Sequence, residues 1–140
     1  MMYTFKVNKE EIIRKVKELD LSEGSYVVFG GAPMAMVGLR PANDIELLVS
    51  PEVLAKLKEA GWQQIYKNPG DTPVVDDVFE VHNNWNFSPY SPTLQHLLAS
   101  ATIIDDIPFA SLQEVRKWKL ASGRPKDITD IKLIDKYLST

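Results

Sequence analysis

"VVFGGAPMAMVGLRPANDIELLVS", residues 27–50, passes from an apolar strand to paired glycines, then through a small-residue segment to an acid-apolar-acid triplet. The triplet, Asp44-Ile45-Glu46, begins fourteen residues after Gly30 and opens what otherwise reads as a buried strand, Asp44 to Val49. Charge in such a place is costly unless it is paired or holds a cation. Side chains alternate faces along a strand, so Asp44 and Glu46 share one face while Ile45 and Leu47 share the other. Two carboxylates held close raise each other's pKa, a conflict that a divalent cation removes. Mg²⁺ takes hard oxygen ligands, commonly one or two carboxylates together with substrate phosphates.

Working outward, Val78-Phe79-Glu80-Val81-His82 repeats the anomaly. Phe79 and Val81 belong to a core face, which turns Glu80 and His82 to the opposite one. If the two strands are neighbours, three carboxylates converge. Taken singly, each feature has a plainer use. Paired glycines make a strand-to-helix turn, an acid-x-acid triplet suits a solvated strand face, and Glu80 suits the surface. His82 reads as a neighbour of the site or a satisfied surface histidine rather than a ligand. The combination, in this order, carries the argument.

The surrounding chain reads as alternating short elements. Asn8-Lys9-Glu10-Glu11 is a capping pattern ahead of Ile12, Ile13, Val16 and Leu19 at helical spacing. Residues 32–39 form a short helix that tolerates Pro33 in its first turn. Ser50-Pro51 opens a helix that buries Val53, Leu54, Leu57 and Ala60 and stops at Gly61. Trp62 to Tyr66 and Val78 to His82 read as a hairpin around a turn at Asn68-Pro69-Gly70-Asp71. Residues 83–92 are loop, with Trp85, Phe87 and Tyr90 forming either a recognition surface or a packed interior. Thr93 to Ser100 is helix, and residues 101–105 and 107–110 are extended. Ser111-Leu112-Gln113-Glu114 caps a helix ending at Gly123, and Asp127 caps a last helix. The pattern predicts an α+β fold, a small mixed β-sheet flanked by helices, in one domain over residues 1–140.

Composition narrows the function classes. The 140 residues are 44% hydrophobic and 25% charged, enough for a packed core. A net charge of −3 provides no global basic field for nucleic acid. The absence of cysteine excludes disulfides and thiolate metal sites, and two histidines, His82 and His96, exclude a multi-histidine zinc site. No apolar run approaches the ~20 residues of a membrane span. With no signal-peptide pattern at its start, the expectation is a cytoplasmic protein without membrane association.

These motifs together resemble the nucleotidyltransferase superfamily, the polymerase-β-like fold of the minimal and aminoglycoside nucleotidyltransferases. The family pattern of a glycine pair, a short helix, Asp-apolar-Asp/Glu and a later third acid falls on Gly30, Gly31, Asp44, Glu46 and Glu80. The stretch "IPFASLQEVRKWKLASGRPKDITDIKLI", residues 107–134, is similar to the tail of small bacterial and archaeal members, and abortive-infection toxins of this fold carry a related signature. Here the tail pattern falls on Lys119, Gly123-Arg124, Lys126-Asp127 and Asp130-Ile131. The resemblance implies transfer of a nucleoside monophosphate from a nucleoside triphosphate to a hydroxyl of a protein, RNA or small molecule. It implies two Mg²⁺ ions on Asp44, Glu46 and Glu80, and triphosphate contacts from Gly30, Gly31, Lys119, Arg124 and Lys126. Lys119 is expected on the polar side of its helix, Asp127 as a helix cap, Asp130 as a partner of Arg124 or Lys119, and Arg40 as an ion-pair partner of the acids. Pro33 and Ala42 depart from the family pattern. They motivate a second expectation, a catalytically degenerate member that binds nucleotide or a partner protein in an antitoxin-like or regulatory role.

Overall fold

At four helix starts, a short polar side chain takes an otherwise orphaned backbone N–H. Asn8 accepts from Glu11, Ser50 from Val53, Thr93 from His96 and Ser111 from Glu114, all within 3.0–3.3 Å. The computed structural model describes residues 6–67 and 72–140, so the expected turn at residues 68–71 lies outside the described residues. In chain order the elements are α1 (Lys9–Glu18), β1 (Tyr26–Phe29), α2 (Ala32–Met36), β2 (Ile45–Val49), α3 (Pro51–Glu59), β3 (Gln63–Gln64), β4 (Val74–Asp76), β5 (Phe79–His82), α4 (Leu94–Ala99), β6 (Thr102–Ile104), β7 (Ile107–Phe109), α5 (Leu112–Ser122) and α6 (Pro125–Leu138).

The strands form one mixed seven-stranded sheet in the order β3-β4-β5-β2-β1-β7-β6. β2 runs antiparallel to β1 and parallel to β5. Both faces are covered, as the continuous apolar run of β1 requires. Val28, Ile45, Leu47, Phe79 and Val81 meet Ile12 and Val16 of α1 and Val53 and Leu54 of α3 on one face. Val27, Phe29 and Leu48 meet Leu97 of α4, Val115 and Trp118 of α5, and Ile134 of α6 on the other. Alternation then puts Glu46, Glu80 and His82 on this second face. The mixed sheet with flanking helices is the α+β architecture the sequence predicts.

Three expectations need correction. β5 does not pair with the 62–66 segment, because β4 lies between them and makes the hairpin with β5. That turn uses Asp77 at φ 52, a left-handed conformation that aspartate tolerates better than most residues. The last helix begins at Pro125 with Arg124 as its cap, and Asp127 sits in its first turn, accepting from the Arg124 backbone N–H at 3.1 Å. Ala60, expected to be buried at the end of α3, is exposed.

Candidate active site

The site grows from the register of β2 on β5. Glu46 lies directly opposite Glu80, and Leu48 opposite His82. Glu80 and His82, two residues apart on one strand, therefore project from the same face as Glu46. Asp44 sits one residue before β2, in the bend that leads into it, rather than within the strand. Its side chain shares a hydrogen bond with Glu46.

Gly30 and Gly31 shape the opposite wall. Gly30 has φ 69, and a Cβ there would fall 2.5 Å from Glu46 Oε1. The glycine leaves room for the Glu46 carboxylate beside the end of β1. A Cβ on Gly31 would come within 3.1 Å of the Arg40 guanidinium. The pair thus admits two side chains of the site itself, and Gly31 also lines the adjoining cavity. Pro33 and Ala42 are core residues, the latter bridged to Val7, so neither is a cavity contact.

The electrostatics separate the three acids. Burial, with the charges of Asp44 and Glu80, pushes the Glu46 carboxyl up to about 8. Burial and the Glu80 charge also raise Asp44. For Glu80 burial acts upward too, but hydrogen bonds from His82 and Lys67 outweigh it and hold the group at about 2. Lys67 Nζ lies 2.8 Å and His82 Nε2 3.1 Å from Glu80 Oε1. His82 is 5% exposed and lines the cavity, so of the two expected readings it is the neighbour of the site and not the surface histidine. Donor atoms of Glu46, Glu80 and His82 all lie within 4.8 Å of one another. Two carboxylates and an imidazole at that spacing suit a divalent cation.

A cavity of about 1200 Å³ opens beside these groups, lined by Asp44, Glu46, Glu80, His82, Lys67, Arg124 and Lys126 among others. Arg124 and Lys126 are exposed at its edge, and the Lys126 charge acts on Asp44. Lys119 also borders the cavity but is 2% exposed, not on a polar face as expected. Its ammonium lies 2.8 Å from Asp130 and 3.4 Å from Asp127. Arg40 closes this network with a two-pronged contact to Asp130 at 2.7 and 2.8 Å, so its partner is Asp130 rather than the acids of β2. Asp127 also takes the Arg124 guanidinium at 2.8 Å, so one first-turn carboxylate holds both the backbone N–H and the side chain of the capping residue.

Sequence reasoning missed Lys67, which stands beyond β3 with no motif around it. It left the aromatic loop open between packing and recognition; the structure packs Trp85 inside, while Trp85 and Phe87 also line the cavity. Trp85 is 4% exposed and stacks edge-on against Phe29, His82 and Trp118.

Among solved structures, that of ANT(2")-Ia, an aminoglycoside nucleotidyltransferase, in complex with adenylyl-2"-tobramycin covers 92% of this chain and 86% of its own, with a TM-score of 0.52 and 16% identity. The chain has a nucleotidyltransferase-like fold. At this identity the likeness speaks for the fold alone. No protein-family profile and no curated protein matches the sequence. Among the described residues, no helix is long and apolar enough to cross a membrane.

Proposed function

We propose that the protein is a divalent-metal-dependent nucleotidyltransferase that moves a nucleoside monophosphate from a nucleoside triphosphate to an acceptor hydroxyl. The observation that carries this reading is the convergence of Asp44, Glu46 and Glu80 beside a glycine turn, at the wall of a large cavity with Arg124 and Lys126 at its edge. In the reaction the acceptor oxygen bonds to the α-phosphorus, the bond to the bridging oxygen breaks, and pyrophosphate leaves. Mg²⁺ bound at the acids would neutralise charge on the attacking and leaving oxygens.

The chain's own groups divide the remaining work. Glu80 stays ionised through its contacts with Lys67 and His82, which suits a cation ligand better than a proton acceptor. Asp44 and Glu46, whose ionised forms are disfavoured by burial and by the neighbouring acids, are the groups whose charge a bound cation would relieve, which suits both as ligands. Arg124 and Lys126 hold the triphosphate, Arg124 by paired N–H donation. Lys119, committed to Asp127 and Asp130, supports the Arg124 turn from beneath.

The test is transfer of label from nucleoside triphosphates carrying a labelled α-phosphate, with Mg²⁺ and pools of protein, RNA and small-molecule acceptors. Transfer that falls by roughly 10²-fold or more in Asp44→Asn is the expected outcome. Transfer unaffected by that substitution contradicts the assignment. The Lys67 ammonium on Glu80 favours one second reading, since it already neutralises an acid of the site. On that reading the protein binds nucleotide or a partner protein without turnover, and nucleotide binding with no transfer to any acceptor pool is its signature.

A further inference from the structure

We infer that His82 is a third ligand of the cation site, beside Glu46 and Glu80, and that this site prefers ions of the Mn²⁺, Co²⁺ and Zn²⁺ class over Mg²⁺. The inference rests on the cation site of the proposed function and names its chemistry. Two metal–ligand bonds of about 2.0–2.2 Å span at most about 4.4 Å. Ligands that are not opposite each other lie about 3–3.6 Å apart. His82 Nε2 and Glu80 Oε1 are already at 3.1 Å, and with all three donors within 4.8 Å of one another a side-chain adjustment on the order of 1 Å closes the set.

The imidazole is held for this use. His82 is buried at the end of β5 with Nε2 turned toward Glu80 Oε1 at 3.1 Å. Its ring stands edge-on to Trp85, with centroids 4.8 Å apart. Trp85 is itself fixed against Phe29 and Trp118 at 4.7 and 5.1 Å. A ring packed in this way loses little freedom on ligation. Mg²⁺ demands near-octahedral oxygen coordination, whereas imidazole suits the later divalent ions. An Asp, Glu or water ligand in the place of His82 would leave Mg²⁺ the natural occupant. The buried nitrogen biases the site away from it. The ammonium of Lys67, 2.8 Å from Glu80, is the positive charge an incoming ion replaces.

The experiment is titration of the metal-free full chain with CoCl₂ and, separately, MgCl₂, without nucleotide, followed by calorimetry and by proton NMR. Co²⁺ is expected to bind at least roughly tenfold more tightly than Mg²⁺ and to shift the ring protons of one histidine far outside the normal window. The chain has two histidines, and His96, on α4 against Glu114 at 2.9 Å, is the internal control that stays in place. His82→Gln is expected to weaken Co²⁺ binding by more than Mg²⁺ binding and so erase the preference for Co²⁺. The wild-type spectrum decides the matter even where that variant folds poorly. Equal affinities with no shifted histidine signal overturn the inference and leave the proposed function standing. Failure of both ions to bind overturns both.

Discussion

Glu46 sits where its ionised form is disfavoured. Its carboxyl is raised from the ordinary glutamate value to about 8 by burial and by the charges of Asp44 and Glu80. A group that binds a proton more tightly in the folded state stabilises the fold fully below its unfolded pKa. That stability is lost as pH rises through the folded value, between about 4.5 and 8. Glu80 and Asp127, both held at about 2, act in the opposite sense. Their stabilisation is present above the ordinary carboxylate range and is lost as pH falls through about 2. Glu46→Gln keeps the shape and removes the charge. In EDTA its thermal midpoint should match wild type near pH 4.5 and exceed it at pH 8 by the equivalent of roughly 1–3 kcal/mol. Parallel melting curves across that range would contradict the assignment. A stabilising substitution at a proposed ligand is the expected mark of charge gathered for binding rather than for folding.

At the scale of elements, Asp130 of α6 joins the C-terminal helices to the strand-flanking turn that bears Arg40. It takes Arg40 in two hydrogen bonds and Lys119 of α5 in a third, and its side chain is 6% exposed. Removing one partner of a buried ion network leaves the others uncompensated. Asp130→Asn should therefore cost about 3 kcal/mol, read as a lower urea midpoint at unchanged m-value, even though it touches no proposed ligand. A loss below about 0.5 kcal/mol would show the network to be dispensable.

The same elements show what a sequence can reveal. The caps at Asn8, Ser50 and Ser111 were readable because a side chain bonding a backbone N–H three residues on is a local event. The inward and outward alternation of Phe79, Glu80, Val81 and His82 was readable because a strand's period is fixed. The burial of Lys119 was not, since its partners Asp127 and Asp130 come from the next helix and only packing of α5 on α6 brings them beneath it. Lys67 gave no signal for the same reason, as its partner Glu80 lies two strands away across the sheet. β4 was missed because Val74-Val75 is a short apolar pair before two aspartates, and the turn rests on one of them in a left-handed conformation. The aromatic loop was ambiguous because Trp85 finds Phe29 and Trp118 only in the folded chain.

For the molecule as a whole, the sheet has one face closed by α1 and α3 and one shared between core and site. Helices α4 to α6 cover the second face over Val27 and Leu48, while its Glu46–Glu80 end borders the cavity. The net charge of −3 makes the acids alone a poor receptor for a polyanion. On the proposed reading, a triphosphate binds there only when a divalent ion joins the acids and Arg124 and Lys126 meet the remaining charge. Because the acceptor hydroxyl is one of several classes, the most direct test is one that needs no acceptor. Calorimetric titration with a non-cleavable nucleoside triphosphate analogue, with and without a divalent cation, isolates the step. The account predicts binding that requires the cation and that weakens at least roughly tenfold when Glu80→Gln or Asp44→Asn removes an acid. Binding of equal strength in EDTA, or in the acid-free variants, would contradict it.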